Sequence, residues 1–103
     1  MIVLTKMLKC YIAGPMTGYP ELNYPAFATT AERLRQLGYE VVSPAELNPI
    51  TTPYREAMVN DIRALVECDH ILMMHGWHAS KGATLERHIA QVLGITEIFL
   101  EGS

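Results

Sequence analysis

Short apolar runs alternate along the chain with longer stretches in which apolar residues recur every three or four positions. The short runs predict buried strands, and the longer spacing predicts amphipathic helices. The predicted strands cover 8–13, 39–43, 69–74 and 96–100. The predicted helices cover 24–37, 54–67 and 80–93. Asn23 is expected to cap the first helix and Gly38 to end it, and 44–53 is predicted to be a loop.

Strands separated by helices indicate an α/β fold with a parallel sheet and helices on both of its faces. Right-handed crossovers leave few topologies, and we predict a flavodoxin-like (Rossmann-like) three-layer sandwich with about four to five strands, ordered around the first strand. A chain of 103 residues can bury one core but not two. Residues 1–103 are therefore predicted to form a single domain.

The composition limits which classes of partner and which cellular compartment are expected for this protein. The formal net charge is -3 without a basic cluster, so a nucleic-acid polymer is not an expected partner. No apolar run approaches the roughly 20 residues of a membrane span, so no membrane is expected either. Cys10 and Cys68 stand in no spaced motif and are predicted to be buried thiols of a cytoplasmic protein. His75 and His78 lack a third ligand at metal-binding spacing, and neither a metal nor a cofactor is expected.

Two carboxylates fall on helix faces that are otherwise apolar. Glu86 lies inside the apolar stripe of the last helix, and Asp61 lies between Ala57 and Leu65 at the edge of the stripe before it. A buried carboxylate is costly unless it is paired or used. Two inward carboxylates are typical of glycosidic bond cleavage, in which one attacks or stabilises the anomeric centre and the other protonates the leaving group.

Structural roles for the same two residues stay open. Glu86 would also be accommodated if it capped a loop amide or paired with an arginine. Asp61 would equally suit a helix surface next to Arg63, or a hydrogen bond to a loop amide.

Ligands of open parallel sheets bind beyond the carboxyl ends of the strands. Three predicted loops leave those ends, at 14–22, 44–53 and 75–80. Gly14, Pro15 and Gly18 in the first loop allow the backbone to approach a ligand closely.

The third loop leads into a helix with Ser80 as its candidate cap and with Lys81 and Gly82 in its first turn. Free amides at such a position favour a phosphate or another anion. Neither a Walker loop nor a dinucleotide-binding fingerprint is present.

Several segments together carry a family resemblance. They are YIAGPMTG at 11–18, NYPAF at 23–27, GYEVVSP at 38–44, CD at 68–69, and GW at 76–77 followed by SKGA at 80–83 and Glu86. From residue 8 to about 100 the sequence resembles the DUF4406 proteins of phages and bacteria, within the nucleoside 2-deoxyribosyltransferase-like superfamily.

The resemblance implies roles for individual residues. In the enzymes of that superfamily, a Glu on the helix after the third strand attacks the anomeric carbon, and Glu86 matches it by position. An Asp on the preceding helix assists the leaving base, and Asp61 matches it. Tyr11 matches a tyrosine that orients the nucleophile, and Ser80 matches a serine that binds the 5-phosphate in the nucleotide-cleaving branch.

Two features depart from those enzymes. Their Glu is usually followed shortly by a Gly, whereas this chain continues with Arg87 and His88. Trp77 belongs to the small family, where it could stack on a base or cover the end of the sheet as an apolar lid. The predicted substrate-binding set is Gly14, Pro15, Met16, Trp77, Ser80, Lys81 and Gly82.

The expected function is N-glycosidic bond cleavage or base exchange on a 2-deoxynucleoside or its monophosphate, as in a nucleoside 2-deoxyribosyltransferase or deoxynucleotide N-glycosidase. The expected partner is thus a small-molecule nucleoside or nucleotide. Two alternatives stay open. One is a module that binds or sequesters a nucleotide without turnover and that could be of phage origin. The other is a phage structural or interaction protein with a vestigial pocket.

A homodimer or homotetramer is expected, because a sheet of about four strands with short loops forms a shallow cleft that a second subunit could complete. The predicted contact surfaces are the first two helices, where Tyr24, Phe27, Tyr54 and Met58 offer apolar area.

Overall fold

The computed structural model describes residues 7–99 and shows a four-stranded parallel sheet in the order β2-β1-β3-β4. The strands are β1 (Lys9–Ala13), β2 (Glu40–Val42), β3 (His70–Met73) and β4 (Thr96–Phe99). The helices are α1 (Tyr24–Gln36), α2 (Pro44–Leu47), α3 (Tyr54–Leu65) and α4 (Lys81–Leu93). This order around the first strand confirms the predicted flavodoxin-like α/β fold. The predicted end of the last strand, at residue 100, lies outside the described residues.

The segment after β2 was wrongly predicted to be a loop throughout. Its first residues form the short helix α2, because Ser43 and Pro44 supply a favourable start. The Ser43 Oγ accepts a hydrogen bond from the Ala45 amide at 3.2 Å, and Pro44 occupies the first helical position, where no amide donor is needed. The helix was missed because it is a single turn and because the Pro, Thr and Asn content of 44–53 is typical of a loop.

Asn23 does not cap α1 with its side chain, contrary to prediction. It ends a 3-10 turn, Pro20–Asn23, in which Glu21, Leu22 and Asn23 all have positive φ angles of 51–64°. The Asn23 Nδ2 instead donates to the carbonyl oxygen of Pro15 at 2.9 Å. Asn23 therefore anchors the loop after β1 and leaves the start of α1 without a side-chain cap.

The core has two layers because side chains alternate across each strand. On one face of the sheet, Ile12 and Leu72 pack with Phe27 of α1. On the other face, Tyr11 packs with Leu65 of α3 and with α4. Phe27 is only 1 % exposed, so it belongs to the core and is not available as the predicted subunit contact. Tyr11 faces the two helices that carry the predicted carboxylates.

The apolar stripe of α4 is wider than the face that the helix buries. Ala83, Glu86 and Ala90 are buried, whereas Leu85 and Val92 are 46 % and 71 % exposed. The prediction that Glu86 points inwards is therefore confirmed, but part of the apolar surface around it faces outwards.

The predicted state of the two cysteines is confirmed, since Cys10 and Cys68 are buried free thiols. Within residues 7–99, no helix is long and apolar enough to span a membrane.

Candidate active site

A cavity of about 690 Å³ opens at the carboxyl ends of the strands, where the fold class predicts ligand binding. Its walls come from the loops after β1, β2 and β3, from one face of α3 and from the start of α4. They are Pro15, Met16, Thr17, Tyr19, Pro44, Tyr54, Met58, Asp61, Ala79, Ser80, Lys81, Gly82, Ala83 and Glu86. The cavity therefore brings both predicted carboxylates to one place.

Glu86 lines this cavity and is only 4 % exposed. Its Oε2 accepts a hydrogen bond from the Tyr11 hydroxyl at 2.7 Å, so the bonded partner is neither an arginine nor a loop amide. Burial raises the pKa of Glu86 from 4.5 to about 8; the Tyr11 hydrogen bond opposes this rise and the charge of Asp61 adds to it. Burial and the adjacent Glu86 also raise the pKa of Tyr11, which keeps that hydroxyl a neutral donor.

Asp61 of α3 is equally buried, at 4 % exposure. Its Oδ1 accepts a hydrogen bond from the side-chain amide of Asn48 at 2.8 Å. Burial raises the pKa of Asp61 from 3.8 to about 6, while the Asn48 hydrogen bond holds it down. The predicted alternative of a surface Asp next to Arg63 is thus wrong, and an amide partner is present.

Burial is the main cause of the raised pKa of both carboxyl groups, and the charge of Asp61 adds to the rise for Glu86. Between about pH 6 and about pH 8 the pair holds one proton and one negative charge. An acid and a carboxylate can therefore coexist in this cavity near neutral pH.

The first loop supplies the wall through Pro15 and Met16, as predicted, together with Thr17 and Tyr19. Gly14 does not line the cavity within the described residues. A Cβ atom there would lie 2.8 Å from the Cβ of Met74, so glycine allows this loop to pass close to β3. Gly14 therefore acts on the cavity by placing Pro15.

At the start of α4, Ser80, Lys81 and Gly82 all line the cavity. The Ser80 Oγ accepts from the Ala83 amide at 3.1 Å, so the predicted cap is confirmed and the hydroxyl proton stays free to donate. Lys81 is the only cationic side chain among the described lining residues. A Cβ atom on Gly82 would lie 3.2 Å from the Met58 sulphur, so glycine lets α3 and α4 approach closely.

Trp77 is not among the described residues that line the cavity. The Arg87 guanidinium lies 4.6 Å from the centre of its indole ring, and the Phe99 ring of β4 lies 6.4 Å away. Arg87 also forms a two-pronged ion pair with Glu97, at 3.1 and 3.3 Å. Trp77 and Arg87 thus join α4 to β4 in a cluster whose members are not among the described lining residues of the cavity.

Sequence reasoning missed part of the lining and the support of Asp61. Tyr54 and Met58 line the cavity, although they were assigned to a subunit contact. Tyr54 precedes Met58 by four residues and Met58 precedes Asp61 by three, which places all three on one helix face and could have indicated this. Asn48 carried no such signal, because its burial depends on how α2 meets α3.

No site for a metal is evident in the part of the chain that the structure describes, since it contains no group of three or more His, Cys, Asp or Glu side chains placed to hold an ion. The chemistry open to the cavity residues is that of the carboxyl pair, the Tyr11 hydroxyl and the donors at the start of α4.

Residues 8–99 match a family model described as Domain of unknown function (DUF4406). The fold is similar to the solved structure of a 2-deoxyribosyltransferase from the psychrotolerant bacterium Bacillus psychrosaccharolyticus, with a TM-score of 0.69 and 21% sequence identity. The match covers 88% of this chain and 70% of that chain. That enzyme is described as a suitable biocatalyst for the industrial synthesis of antiviral and antitumoral nucleosides. At this identity the similarity shows a shared fold. A search of curated proteins finds no match.

Replacing Glu86 by Gln should stabilise the protein at alkaline pH. The folded chain holds protons on Asp61 and Glu86 that the unfolded chain releases near pH 4, so the free energy of unfolding falls as the pH rises. This contribution is complete below the unfolded pKa values and is lost through about pH 6 for Asp61 and about pH 8 for Glu86. Glu86→Gln keeps an acceptor for Tyr11 and should be more stable than the wild type near pH 9 by on the order of 2–4 kcal/mol.

Urea unfolding between about pH 5 and about pH 9 measures this difference. The control is Glu32→Gln on the exposed side of α1, which should follow the wild-type pH dependence. If the free energy of unfolding changed equally with pH in Glu86→Gln and in the wild type, Glu86 would ionise without loss of stability, which would contradict its raised pKa.

Proposed function

The chain belongs to the DUF4406 family, and we propose that it cleaves or exchanges the N-glycosidic bond of a 2-deoxynucleoside or deoxynucleoside monophosphate. The observation that carries this proposal is the buried set of Tyr11, Glu86 and Asp61, two carboxyls in one cavity with a hydroxyl bonded to one of them. This set suits displacement at an anomeric carbon, which needs one carboxylate and one carboxylic acid.

In the proposed first step, ionised Glu86 attacks the anomeric carbon, so that a carbon–oxygen bond forms while the bond to the base nitrogen breaks. The bonding electrons leave with the base, and Asp61 supplies the proton that neutralises it. Tyr11 orients Glu86 and donates to the oxygen that does not attack. Water or a second base then displaces Glu86 from the sugar, which gives hydrolysis or transfer.

The remaining walls support a ligand with an apolar body and polar edges. Met16, Tyr19, Tyr54 and Met58 provide aromatic and thioether surface against which a base and a deoxysugar could pack. Tyr54 is 59 % exposed, so its ring is accessible for contact with a bound ligand.

Glu86→Gln and Asp61→Asn should each abolish base release, because the first removes the nucleophile and the second removes the proton donor. The measurement is the appearance of free base from a panel of deoxynucleosides and deoxynucleotides. The wild-type rate should rise through about pH 6, where the pair first loses a proton, and fall through about pH 8, where it loses the second.

Glu56→Gln at the exposed start of α3 is the control and should retain wild-type activity. Full activity in Glu86→Gln would exclude the proposed nucleophile. If no member of the panel is cleaved but one binds tightly, the cavity belongs to a module that holds a nucleotide without turnover.

A 5-phosphate should improve binding through Ser80, Lys81 and the first amides of α4. These amides have no acceptor within the helix, and Lys81 adds a positive charge beside them. A charged hydrogen bond of this kind contributes roughly 1.5–3 kcal/mol, on the order of tenfold or more in affinity. Calorimetric titration of a matched nucleoside and monophosphate onto inactive Glu86→Gln measures the difference.

Lys81→Gln serves as the matched variant, since it should weaken the monophosphate and leave the nucleoside unchanged. Equal affinities of Glu86→Gln for the two ligands would leave Ser80 as a helix cap alone.

The protein should be a homodimer or a homotetramer that associates through the outer faces of α3 and α4. Large apolar side chains are exposed on these two neighbouring helices and at the end of α3, each between 41 % and 71 %: Val59, Val66, Leu85, Val92 and Leu93. Exposed apolar side chains on adjacent helices favour a subunit contact, and closed two-fold assemblies are the commonest arrangement. Light scattering at micromolar concentration should give a multiple of 11.5 kDa.

Leu85→Glu together with Val92→Glu should lower that mass to one chain, because each charge would be buried in the contact. Active wild-type protein of a single-chain mass would show that one subunit builds the whole site.

A further inference from the structure

Asn48 is buried at the end of α2, and both polar atoms of its side chain have partners. Its Nδ2 donates to the carbonyl oxygen of Pro44 at 3.0 Å and to the Oδ1 of Asp61 at 2.8 Å. Its Oδ1 accepts from the Nδ2 of Asn60 at 3.0 Å. A carbonyl oxygen can only accept, so the NH₂ group must face Pro44 and Asp61 and the amide cannot be reversed.

The backbone of Asn48 is held separately. Its amide donates to the Pro44 carbonyl at 3.1 Å, and its carbonyl accepts from the Tyr24 hydroxyl of α1 at 2.8 Å. Apart from Asp61, three residues from three helices hold Asn48, namely Pro44, Asn60 and Tyr24. Contacts other than the one to Asp61 therefore fix the position of this side chain.

We propose that Asn48 is a positioning residue that keeps the Oδ1 of Asp61 an acceptor and so confines the transferable proton to Oδ2. A carboxylic acid carries its proton on one oxygen, and the oxygen that accepts from an amide donor is the one without it. This inference rests on the proposed function, in which Asp61 protonates the leaving base.

The same hydrogen bond makes Asp61 a stronger acid. Burial raises the pKa of Asp61 to about 6, and Asn48 opposes this effect by favouring the ionised form. Tyr11, Tyr24 and Glu86 interact with Asp61 through charge, and Lys81 lines the same cavity.

Carboxyl carbon NMR tests the hydrogen bond without any substrate. The sequence contains two aspartates, Asp61 and Asp69, so the full chain labelled with ¹³Cγ-aspartate gives two signals, which Asp61→Asn assigns. In Asn48→Leu, which removes both amide donors at similar volume, the Asp61 midpoint should rise by about one pH unit or more from its value near 6. Asp69, which accepts from the Lys9 amide, serves as the reference signal.

Tyr24→Phe is the matched control, because it removes a backbone contact of Asn48 and leaves the amide donor in place. The Asp61 midpoint should shift much less in Tyr24→Phe than in Asn48→Leu. An unchanged midpoint in Asn48→Leu, or an equal shift in Tyr24→Phe, would overturn the proposal. If Asn48→Leu does not fold, Asn60→Ala provides the test, because it removes the hydrogen bond to the Asn48 Oδ1. The Asp61 midpoint should then rise by a smaller amount, and the absence of a rise would overturn the proposal.

The pH profile of base release provides the second readout. In Asn48→Leu the acidic limb of kcat/KM should move upwards with the Asp61 midpoint, while the alkaline limb stays near pH 8. An acidic limb that stays in place while the NMR midpoint moves would overturn the positioning role. An inactive wild type would refute the proposed function, whereas the NMR shift would still report the effect of Asn48 on Asp61.

Discussion

The hydrogen bond from Tyr11 to Glu86 joins the central strand to α4 inside the protein, over a distance of 2.7 Å. A buried carboxyl is unfavourable unless it is neutral or well bonded, so the packing around this contact has to hold both groups in place. Ala83 and Ala90 do so, since they lie one turn before and one turn after Glu86 and are almost fully buried. Their small side chains let α4 lie close enough to the sheet for Tyr11 to reach the carboxyl without leaving the core.

The other wall of the cavity also carries a local cost. Glu21, Leu22 and Asn23 adopt left-handed backbone angles, which cost roughly 1–2 kcal/mol for each residue that has a side chain. The hydrogen bond from Asn23 to the Pro15 carbonyl, at 2.9 Å, is one contact that holds this segment against the loop after β1. The strained segment is thus bonded to Pro15, which lines the cavity that holds the buried carboxyls. Functional sites are where proteins concentrate such costs, and the core has to offset them.

Features that depend on one element could be predicted from the sequence, whereas features that need several elements could not. Helical spacing alone placed Glu86 on a buried face. The same rule failed for Val92, because only packing decides how much of an apolar stripe a helix buries. Tyr11 was assigned its role only through the family resemblance. No sequence pattern indicated the role of Asn48, because three helices meet to bury it. Trp77 was predicted to bind the substrate, whereas its indole ring contacts Arg87 and β4.

Only one of the two carboxyl groups carries a proton near neutral pH, and the surrounding residues influence which one it is. The resting pKa order, about 6 for Asp61 and about 8 for Glu86, leaves the proton of the pair on Glu86 at neutral pH. The proposed reaction needs it on Asp61. A bound nucleoside would favour that exchange, because positive charge developing at the anomeric carbon stabilises ionised Glu86 while a base nitrogen accepts from Asp61. Of the hydrogen-bond partners of the pair, Tyr11 acts in the same direction, because it stabilises the Glu86 carboxylate that must form. Asn48 opposes the transfer of the proton to Asp61, but it makes Asp61 a stronger acid towards the leaving base once that proton is in place.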